Sequence, residues 1–169
     1  PININERVID ERIAFLTKDI LKDFLKRGSA GKKTSDLQRN DIAGKTGTTN
    51  DNTNAWFIGF SPDLVAGVFV GYDKPRPLGK RETGSSVAVP IFQSFIAEAL
   101  ADAPQIPFRR PDGVNLYPVH AERGYQVKLS NPDVVMEVFK PGQSPLSSNL
   151  IDLPKDKMID QTVNTPDLY

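Results

Sequence analysis

The chain has 169 residues, of which 38% are hydrophobic, enough for one modest core or for a small domain with a tail. Basic and acidic residues both number 21, so no overall charge favours nucleic acid or an anionic membrane surface as a partner. Cysteine is absent, which excludes disulfides and cysteine-ligated metal sites, and no segment approaches the roughly 20 apolar residues of a membrane span. Because Pro1 stands where an initiator methionine would be, we expect a fragment of a longer protein.

The spacing of apolar residues predicts an amphipathic helix from Asp10 to Lys26. Asp10 suits the N-cap, and Gly28 follows the basic last turn as a stop signal. The apolar positions recur every three or four residues, and they are Ile13, Leu16, Ile20, Leu21, Phe24 and Leu25. We expect this face to pack against a sheet.

The next segment places Lys45 in a run of small residues, which is unusual for an ordinary strand. Gly44 and Gly47 remove side-chain bulk on both sides, so that a ligand can lie against the backbone. Thr46 and Thr48 are two residues apart and project hydroxyls from the same face of an extended chain, while Lys45 offers an ammonium with three donors. These groups suit a carboxylate, so we expect a binding site here.

Three neighbouring strands are predicted at residues 42–49, 55–60 and 64–72. The second is almost continuously apolar, and the third is rich in valine and phenylalanine. The turn between them, Ser61-Pro62-Asp63, is short, so the two strands should pair antiparallel.

Apolar residues on both faces of these strands predict helices on both sides of the sheet. We therefore expect Trp56 and Phe57 to be mainly core, although either could line a pocket, and we expect Ile58 and Val68 to be buried. A sheet of only three strands would leave an unpaired edge at residues 42–49 and an uncovered apolar face. A second chain or a further segment should cover both.

A loop over residues 73–86 leads into a second predicted helix from about Val87 to Ala101. Ser85 or Ser86 can cap this helix, and Pro90 falls in its first turn, where no amide donor is lost. The helix again has one apolar face, which we expect to be buried.

Past this helix the composition changes, because nine of the 14 prolines lie between Pro104 and Pro166. We predict two parts, residues 1–107 and a segment over 108–169 that is either an extended, irregular Pro-rich tail or a small appended unit. Short strands are expected at Tyr125–Leu129 and Val134–Phe139. The last 20 or so residues are polar and predicted to be poorly ordered.

The run from Asp41 to Asp73 resembles class A penicillin-binding proteins, the bifunctional peptidoglycan synthases. Lys45–Gly47 matches K-T-G, which with S-x-x-K and S-x-N forms the motif set of penicillin-binding proteins and serine β-lactamases. The triplet alone recurs by chance, but Gly44–Asp51 followed by Ala55–Phe57 is far more specific. The resemblance spans about Arg7 to Gly113.

This resemblance implies an α+β fold, an antiparallel five-stranded sheet flanked by helices, of which the chain would supply the third to fifth strands and two helices. It also implies a serine that attacks D-Ala-D-Ala stem peptides, forms an acyl-enzyme, cross-links peptidoglycan and is acylated by β-lactam antibiotics. No metal or cofactor is implied. The implied location is the periplasmic face of the bacterial inner membrane, through an anchor outside this chain.

The resemblance also implies roles for four residues. Lys45 would hold the substrate carboxylate and assist proton transfer, and the hydroxyls of Thr46 and Thr48 would bind that carboxylate. The backbone N–H of Thr48 would complete an oxyanion hole, and Gly47 would keep this wall thin.

The serine motifs of the set have no credible counterpart in the chain. Ser29–Lys32 matches S-x-x-K but lies in a polar, glycine-rich connector, whose basic residues Lys32, Lys33 and Arg39 we expect to form a solvated face or, alternatively, a substrate-recruiting patch. Ser147–Asn149 matches S-x-N but follows K-T-G, among prolines. His120 is the only histidine, so no serine-histidine triad or histidine-based metal site can be assembled. The missing elements are expected on the remaining half of the same enzyme.

Three other interpretations stay open. A monofunctional transpeptidase, a carboxypeptidase or a β-lactamase would share K-T-G, and an upstream glycosyltransferase domain would decide for class A. A non-catalytic β-lactam sensor would bind the drug without turning over peptide. A purely structural fragment would only complete the sheet of another chain.

Overall fold

The structure, a computed structural model, describes residues 7–28, 37 and 39–147. The chain divides into two units, Pro1–Pro111 and Asp112–Tyr169. The first unit contains α1 (Glu11–Arg27), β1 (Ala43–Thr48), β2 (Asn54–Phe60), β3 (Val65–Gly71) and α2 (Val89–Ala99), and the second contains β4 (Asn115–His120) and β5 (Val134–Phe139). None of the described helices is both long and apolar enough to cross a membrane.

Helix α1 begins and ends within one residue of the prediction. The Asp10 carboxylate accepts hydrogen bonds from the amides of Arg12 and Ile13, at 2.9 and 3.3 Å, and these bonds lower the pKa of Asp10. At the other end the Gly28 amide donates to the Phe24 carbonyl at 3.0 Å. Local capping signals therefore suffice to place this helix.

The first unit contains the predicted antiparallel sheet, in the order β1-β2-β3. The turn between β2 and β3 closes through the Ser61 amide, which donates to the Leu64 carbonyl at 2.8 Å. The Ser61 hydroxyl oxygen also accepts the amides of Asp63 and Leu64, at 3.3 and 3.0 Å. This serine fixes the tight reversal that the Pro62 turn predicts.

One face of the sheet carries the core. Phe57 of β2 is fully buried and meets Phe92 of α2, with ring centroids 4.6 Å apart. Alternate strand residues share a face, so Val68, which lies opposite Phe57 on β3, points the same way. Val68 packs against the core but is half-buried, whereas it was predicted to be buried. The buried members of this cluster are Leu25, Ile42, Phe57, Ala88, Val89, Phe92 and Ile96.

The opposite face differs from the prediction, because it is largely open in the described part of the chain. Trp56 is 45% exposed, Ile58 51% and Phe69 52%, so the expectation that Trp56 and Ile58 lie in the core is wrong here. The physical reason is that α1 packs chiefly against β1 and leaves the same face of β2 and β3 uncovered.

The second helix starts earlier than predicted, with a π-helical turn at Gly84–Ala88 that leads into α2. Its cap is Thr83, not Ser85 or Ser86. The Thr83 hydroxyl oxygen accepts the Ser86 amide at 3.4 Å, and the Ser86 hydroxyl oxygen accepts the Thr83 amide at 2.7 Å. This reciprocal capping box leaves Pro90 in the first turn of α2, as expected.

Arg39 was expected on a solvated face or in a recruiting patch, but it is largely buried. Its guanidinium pairs with the Asp41 carboxylate through two bonds of 3.0 and 2.7 Å. It also donates to the carbonyls of Leu100, Ala103 and Pro104, at 3.1, 3.1 and 3.2 Å. The prediction that Arg39 is solvated is wrong, because the three carbonyls that accept its hydrogen bonds lie more than 60 residues away in sequence.

The second unit contains an antiparallel pair of strands, β4 and β5. Strand β5 matches the prediction, whereas Tyr125–Leu129 is not a strand, because only Gln126 forms isolated bridges there. An irregular tail is thus not confirmed for residues 115–139. The last 20 residues, the Ser29–Lys32 match and most of the S-x-N match lie outside the described residues.

We expect Arg39→Ala to lower the free energy of unfolding by about 3–5 kcal/mol, because it leaves a buried carboxylate unpaired. The matched control is Arg7→Ala, which removes an exposed pair with Glu11 and should cost less than about 1 kcal/mol. Urea unfolding of both variants tests this. Equal losses would contradict a structural role for the Arg39–Asp41 pair.

The same pair predicts a pH dependence. Burial raises the pKa of Asp41, but the Arg39 guanidinium and the Ile106 amide outweigh it and hold the pKa below its ordinary value. The stabilisation is therefore complete above the unfolded pKa of about 4 and is lost as the pH falls through the folded pKa. The stability gap between the parent and Arg39→Ala should narrow below about pH 4.

Candidate functional site

Strand β1 has one edge paired with β2 and no strand partner on the other edge among the described residues. The amide of Thr49 donates to the Asn54 carbonyl at 3.1 Å, which sets the hydrogen-bonding phase of the β1-β2 ladder. Because antiparallel bonding alternates along a strand, the N–H and C=O groups of Thr46 and Thr48 point away from β2. The unpaired edge thus presents backbone donors and acceptors.

The ammonium of Lys45 lies at this same edge. Its Nζ donates to the Thr46 carbonyl at 3.0 Å and stands 4.3 Å from the centroid of the Phe24 ring. The side chain is exposed and shares its face with Ile58, opposite the face of Phe57. Lys45 is therefore accessible and is not directed into the core.

Thr46 and Thr48 share the other face of β1, as their spacing predicts. The Thr48 hydroxyl oxygen accepts the Gly84 amide at 3.0 Å, so its own proton remains available for a second partner. Thr48 is exposed, whereas Thr46 is half-buried. The Thr48 hydroxyl thus also connects the strand to the start of the second helix, which residue spacing alone does not predict.

The two glycines of the motif have different surroundings. A Cβ on Gly44 would lie 2.6 Å from a Phe57 ring atom and 2.8 Å from the Ile58 carbonyl oxygen, so core packing requires this glycine. A Cβ on Gly47 would meet only the Cβ of Trp56, at 3.4 Å, which is ordinary contact. Core packing therefore explains why residue 44 is a glycine, but it does not explain why residue 47 is one.

Sequence reasoning missed Gly84, which packs directly against the end of β1. A Cβ there would lie 2.5 Å from the Trp56 carbonyl oxygen and 2.8 Å from that of Gly47. Backbone atoms cannot give way as flexible side chains do, so only glycine allows this approach. The available signal was a glycine next to a capping threonine.

The turn after β1 is also fixed by hydrogen bonds. The Thr49 hydroxyl oxygen accepts the amides of Thr53 and Asn54, both at 3.0 Å. Asn52 adopts the left-handed conformation, with φ of 51°, which asparagine tolerates. The end of β1 is therefore ordered up to its reversal.

The arrangement brings together some predicted groups and not others. Lys45, Thr46, Gly47 and Thr48 lie on one edge strand, while no serine hydroxyl is among the hydrogen-bond partners of Lys45 in the described residues. Ser147, the described member of the S-x-N match, belongs to the second unit. The site can hold an anion, but the described residues supply no nucleophile beside Lys45.

Comparisons with known proteins match this picture. The sequence model of the penicillin binding protein transpeptidase domain matches residues 1–97. The chain therefore belongs to the penicillin-binding protein transpeptidase family.

The relatives define the branch of this family. Penicillin-binding protein 1A of Pseudomonas aeruginosa is 40% identical over 144 residues, which cover 85% of this chain and 17% of the relative. The protein of the same name from Rickettsia conorii is 39% identical over 160 residues, 94% of this chain and 19% of the relative. The crystal structure of penicillin-binding protein 1A from Haemophilus influenzae matches with a TM-score of 0.72 and 30% identity, over 82% of this chain and 22% of that one. The resemblance to class A penicillin-binding proteins and the α+β fold are confirmed, and the chain spans about a fifth of these relatives.

We expect Gly84→Ala to destabilise the first unit by about 1–3 kcal/mol, because its methyl group would overlap two backbone carbonyls. Gly47→Ala is the matched control, since its methyl group finds ordinary contact, and it should change the free energy of unfolding by less than about 1 kcal/mol. Urea unfolding measures both. A Gly84→Ala variant as stable as the control would contradict the close approach of the second helix to β1.

Proposed function

We propose that this chain supplies the K-T-G wall of a serine DD-transpeptidase that cross-links peptidoglycan stem peptides through an acyl-enzyme. The observation that supports this most is the joint placement of the Lys45 ammonium and the outward backbone of Thr48 on one unpaired strand edge. β-Lactam antibiotics would acylate the same enzyme as substrate mimics. Residues 1–107 would be the C-terminal part of the transpeptidase domain, and residues 108–169 an appended segment.

The substrate would lie along the free edge of β1 as an added strand. An extended peptide can pair with the outward N–H and C=O groups of Thr46 and Thr48, and main-chain bonds of this kind give affinity without demanding a particular side chain. Because Gly47 has no side chain, nothing projects from the Lys45 face of the strand at this point to obstruct a peptide. The edge thus offers a backbone template for the D-Ala-D-Ala end.

The terminal carboxylate of the substrate would be held by charge and by hydroxyls. Lys45 offers a compact cation, and the Thr48 hydroxyl keeps a free proton after it accepts the Gly84 amide. The half-buried Thr46 hydroxyl is the third candidate donor. A charge-assisted bond of this kind contributes about 1.5–3 kcal/mol.

The chemical step requires stabilisation of the negative charge that develops on the attacked carbonyl oxygen. The outward N–H of Thr48 is the proposed donor from this chain, and a backbone amide held in a fixed strand needs little reorganisation. The second donor and the nucleophilic serine would come from the S-x-x-K element, and the S-x-N serine would relay protons with Lys45. These elements are assigned to the remainder of the same polypeptide.

That remainder would also cover the open surfaces of the sheet. The rings of Trp56 and Phe69 contact each other in a tilted arrangement on the exposed face, with centroids 4.7 Å apart, and both outer strands lack partners in the described part of the chain. Exposed aromatic pairs and unpaired edges favour association. We further propose an upstream glycosyltransferase domain and a membrane anchor outside this chain, which would place the enzyme at the periplasmic face of the inner membrane.

Lys45→Ala in the intact enzyme should lower the second-order rate of acylation by benzylpenicillin about ten- to hundredfold. Its melting temperature should change little, because the exposed lysine loses only a solvent-exposed hydrogen bond to the Thr46 carbonyl and its contact with Phe24, which is worth about 0.5–1 kcal/mol. Lys128→Ala, which removes one positive charge from the second unit, is the control and should retain the parental rate. A wild-type rate, or unfolding, in Lys45→Ala would make Lys45 structural.

Thr48 is expected to act through two separate groups. Thr48→Ser keeps the hydroxyl and should keep most of the acylation rate, whereas Thr48→Ala leaves the Gly84 amide without its acceptor and should cost about 1 kcal/mol of stability. Because the oxyanion donor is the backbone amide, Thr48→Ala should lower the rate less than Lys45→Ala does. Stopped-flow acylation beside thermal unfolding separates the two effects, and the reverse order of rates would refute the assignment.

A further inference from the structure

A loop of ten residues, Asp73 to Glu82, connects β3 to the π-helical turn and is here called the cationic loop. Its four basic side chains are all exposed, and they are Lys74, Arg76, Lys80 and Arg81. In the described part of the chain no carboxylate lies within ion-pair distance of any of them. The loop therefore presents unpaired positive charge to solvent.

This loop has a fixed shape. The guanidinium carbon of Arg76 stands 3.8 Å from the centroid of the Tyr72 ring, a cation–π contact that occupies none of the guanidinium N–H donors. Pro75 and Pro77 restrict the backbone on either side of Arg76. Because the cations lie on a backbone restrained in this way, binding an anion would order less of the backbone than it would on a flexible tail.

The cationic loop lies at the end of β1 that carries Thr48. Strands β1 and β3 flank β2 and run in the same direction, so both end at the same side of the sheet. The Leu78 amide donates to the Asn52 carbonyl at 2.8 Å, which ties the middle of the loop to the turn after β1. Just beyond the loop, the Gly84 amide bonds to the Thr48 hydroxyl at 3.0 Å.

The acidic residues near the cationic loop do not neutralise its positive charge. Asp73 and Glu82 are the only carboxylates of the loop, against four cations, and Glu82 already accepts the Ser86 hydroxyl at 2.9 Å. Asp51, in the turn after β1, is exposed and makes no ion pair with a described residue. An anion that approaches the Thr48 end of β1 would therefore meet net positive charge.

We propose that the cationic loop binds a carboxylate on the part of the peptide substrate that extends past Thr48, and so favours acidic stem peptides over amidated ones. This inference rests on the proposed function of β1 as the strand that binds the peptide. Two exposed charge contacts would favour the acidic substrate about three- to tenfold in acylation rate. The preference should shrink between about 50 and 500 mM salt, because exposed charges are screened.

The test compares two peptides that both end in D-Ala-D-Ala and differ only at one internal residue, a free carboxylate in one and a carboxamide in the other. The second-order rate of acylation by each peptide is measured with the intact enzyme. The readout is the rate with the acidic peptide divided by the rate with the amidated peptide. In Lys80→Gln with Arg81→Gln the ratio should fall by about three- to tenfold. Taking a ratio cancels any general loss of activity or folded protein.

The matched control is Arg109→Gln with Arg110→Gln, which removes the same charge beyond Ile106, whose amide bonds to Asp41 at the opposite end of β1. Its ratio should equal that of the parent. An unchanged ratio in the loop variant, or an equal fall in the control, overturns the proposal. So does a loop variant that loses binding to phosphatidylglycerol vesicles while its ratio stays parental, since the cations would then contact a membrane. A parent acylated by neither peptide nor benzylpenicillin would instead refute the proposed function itself.

Discussion

The buried ion pair between Arg39 and Asp41 fixes where β1 begins. Its two bonds are supplemented by three bonds from Arg39 to the carbonyls that follow α2 and by the Ile106 amide, which donates to Asp41 at 3.1 Å. A shift of the strand would expose or separate two largely buried charges, which is costly. Lys45 follows four residues later, so the position of its ammonium depends on this pair.

The far end of β1 is held by different means. The Gly84 amide donates a hydrogen bond to the Thr48 hydroxyl. Gly84 also approaches the carbonyls of Trp56 and Gly47 closely, and this contact fixes the start of the second helix against β1. The strand is thus anchored at both ends while its outer edge stays without a strand partner in the described residues. A rigid edge with open donors is suited to bind an extended peptide, because little order is lost on binding.

The sheet also has an exposed apolar face, on the side opposite the core. Its exposed aromatic and aliphatic side chains alternate with buried ones along β2, so the strand has the composition of a two-sided core although only one side is covered here. Membership of a family whose relatives are about five times longer gives a physical reason for such a face.

Local features of the sequence determined α1, the three antiparallel strands and the K-T-G motif, because caps, turns and alternation act over a few residues. The partners of Arg39, the role of Gly84 and the exposure of Trp56 depend on residues distant in sequence, and only the tertiary structure decided them. Lys18 is a further case. Its Nζ lies 3.3 Å from the ring centroid of Phe15 and 4.6 Å from that of Phe108, and burial lowers its pKa to about 8. Helical periodicity could not distinguish it from a solvated lysine, because a ring 90 residues away helps to bury it.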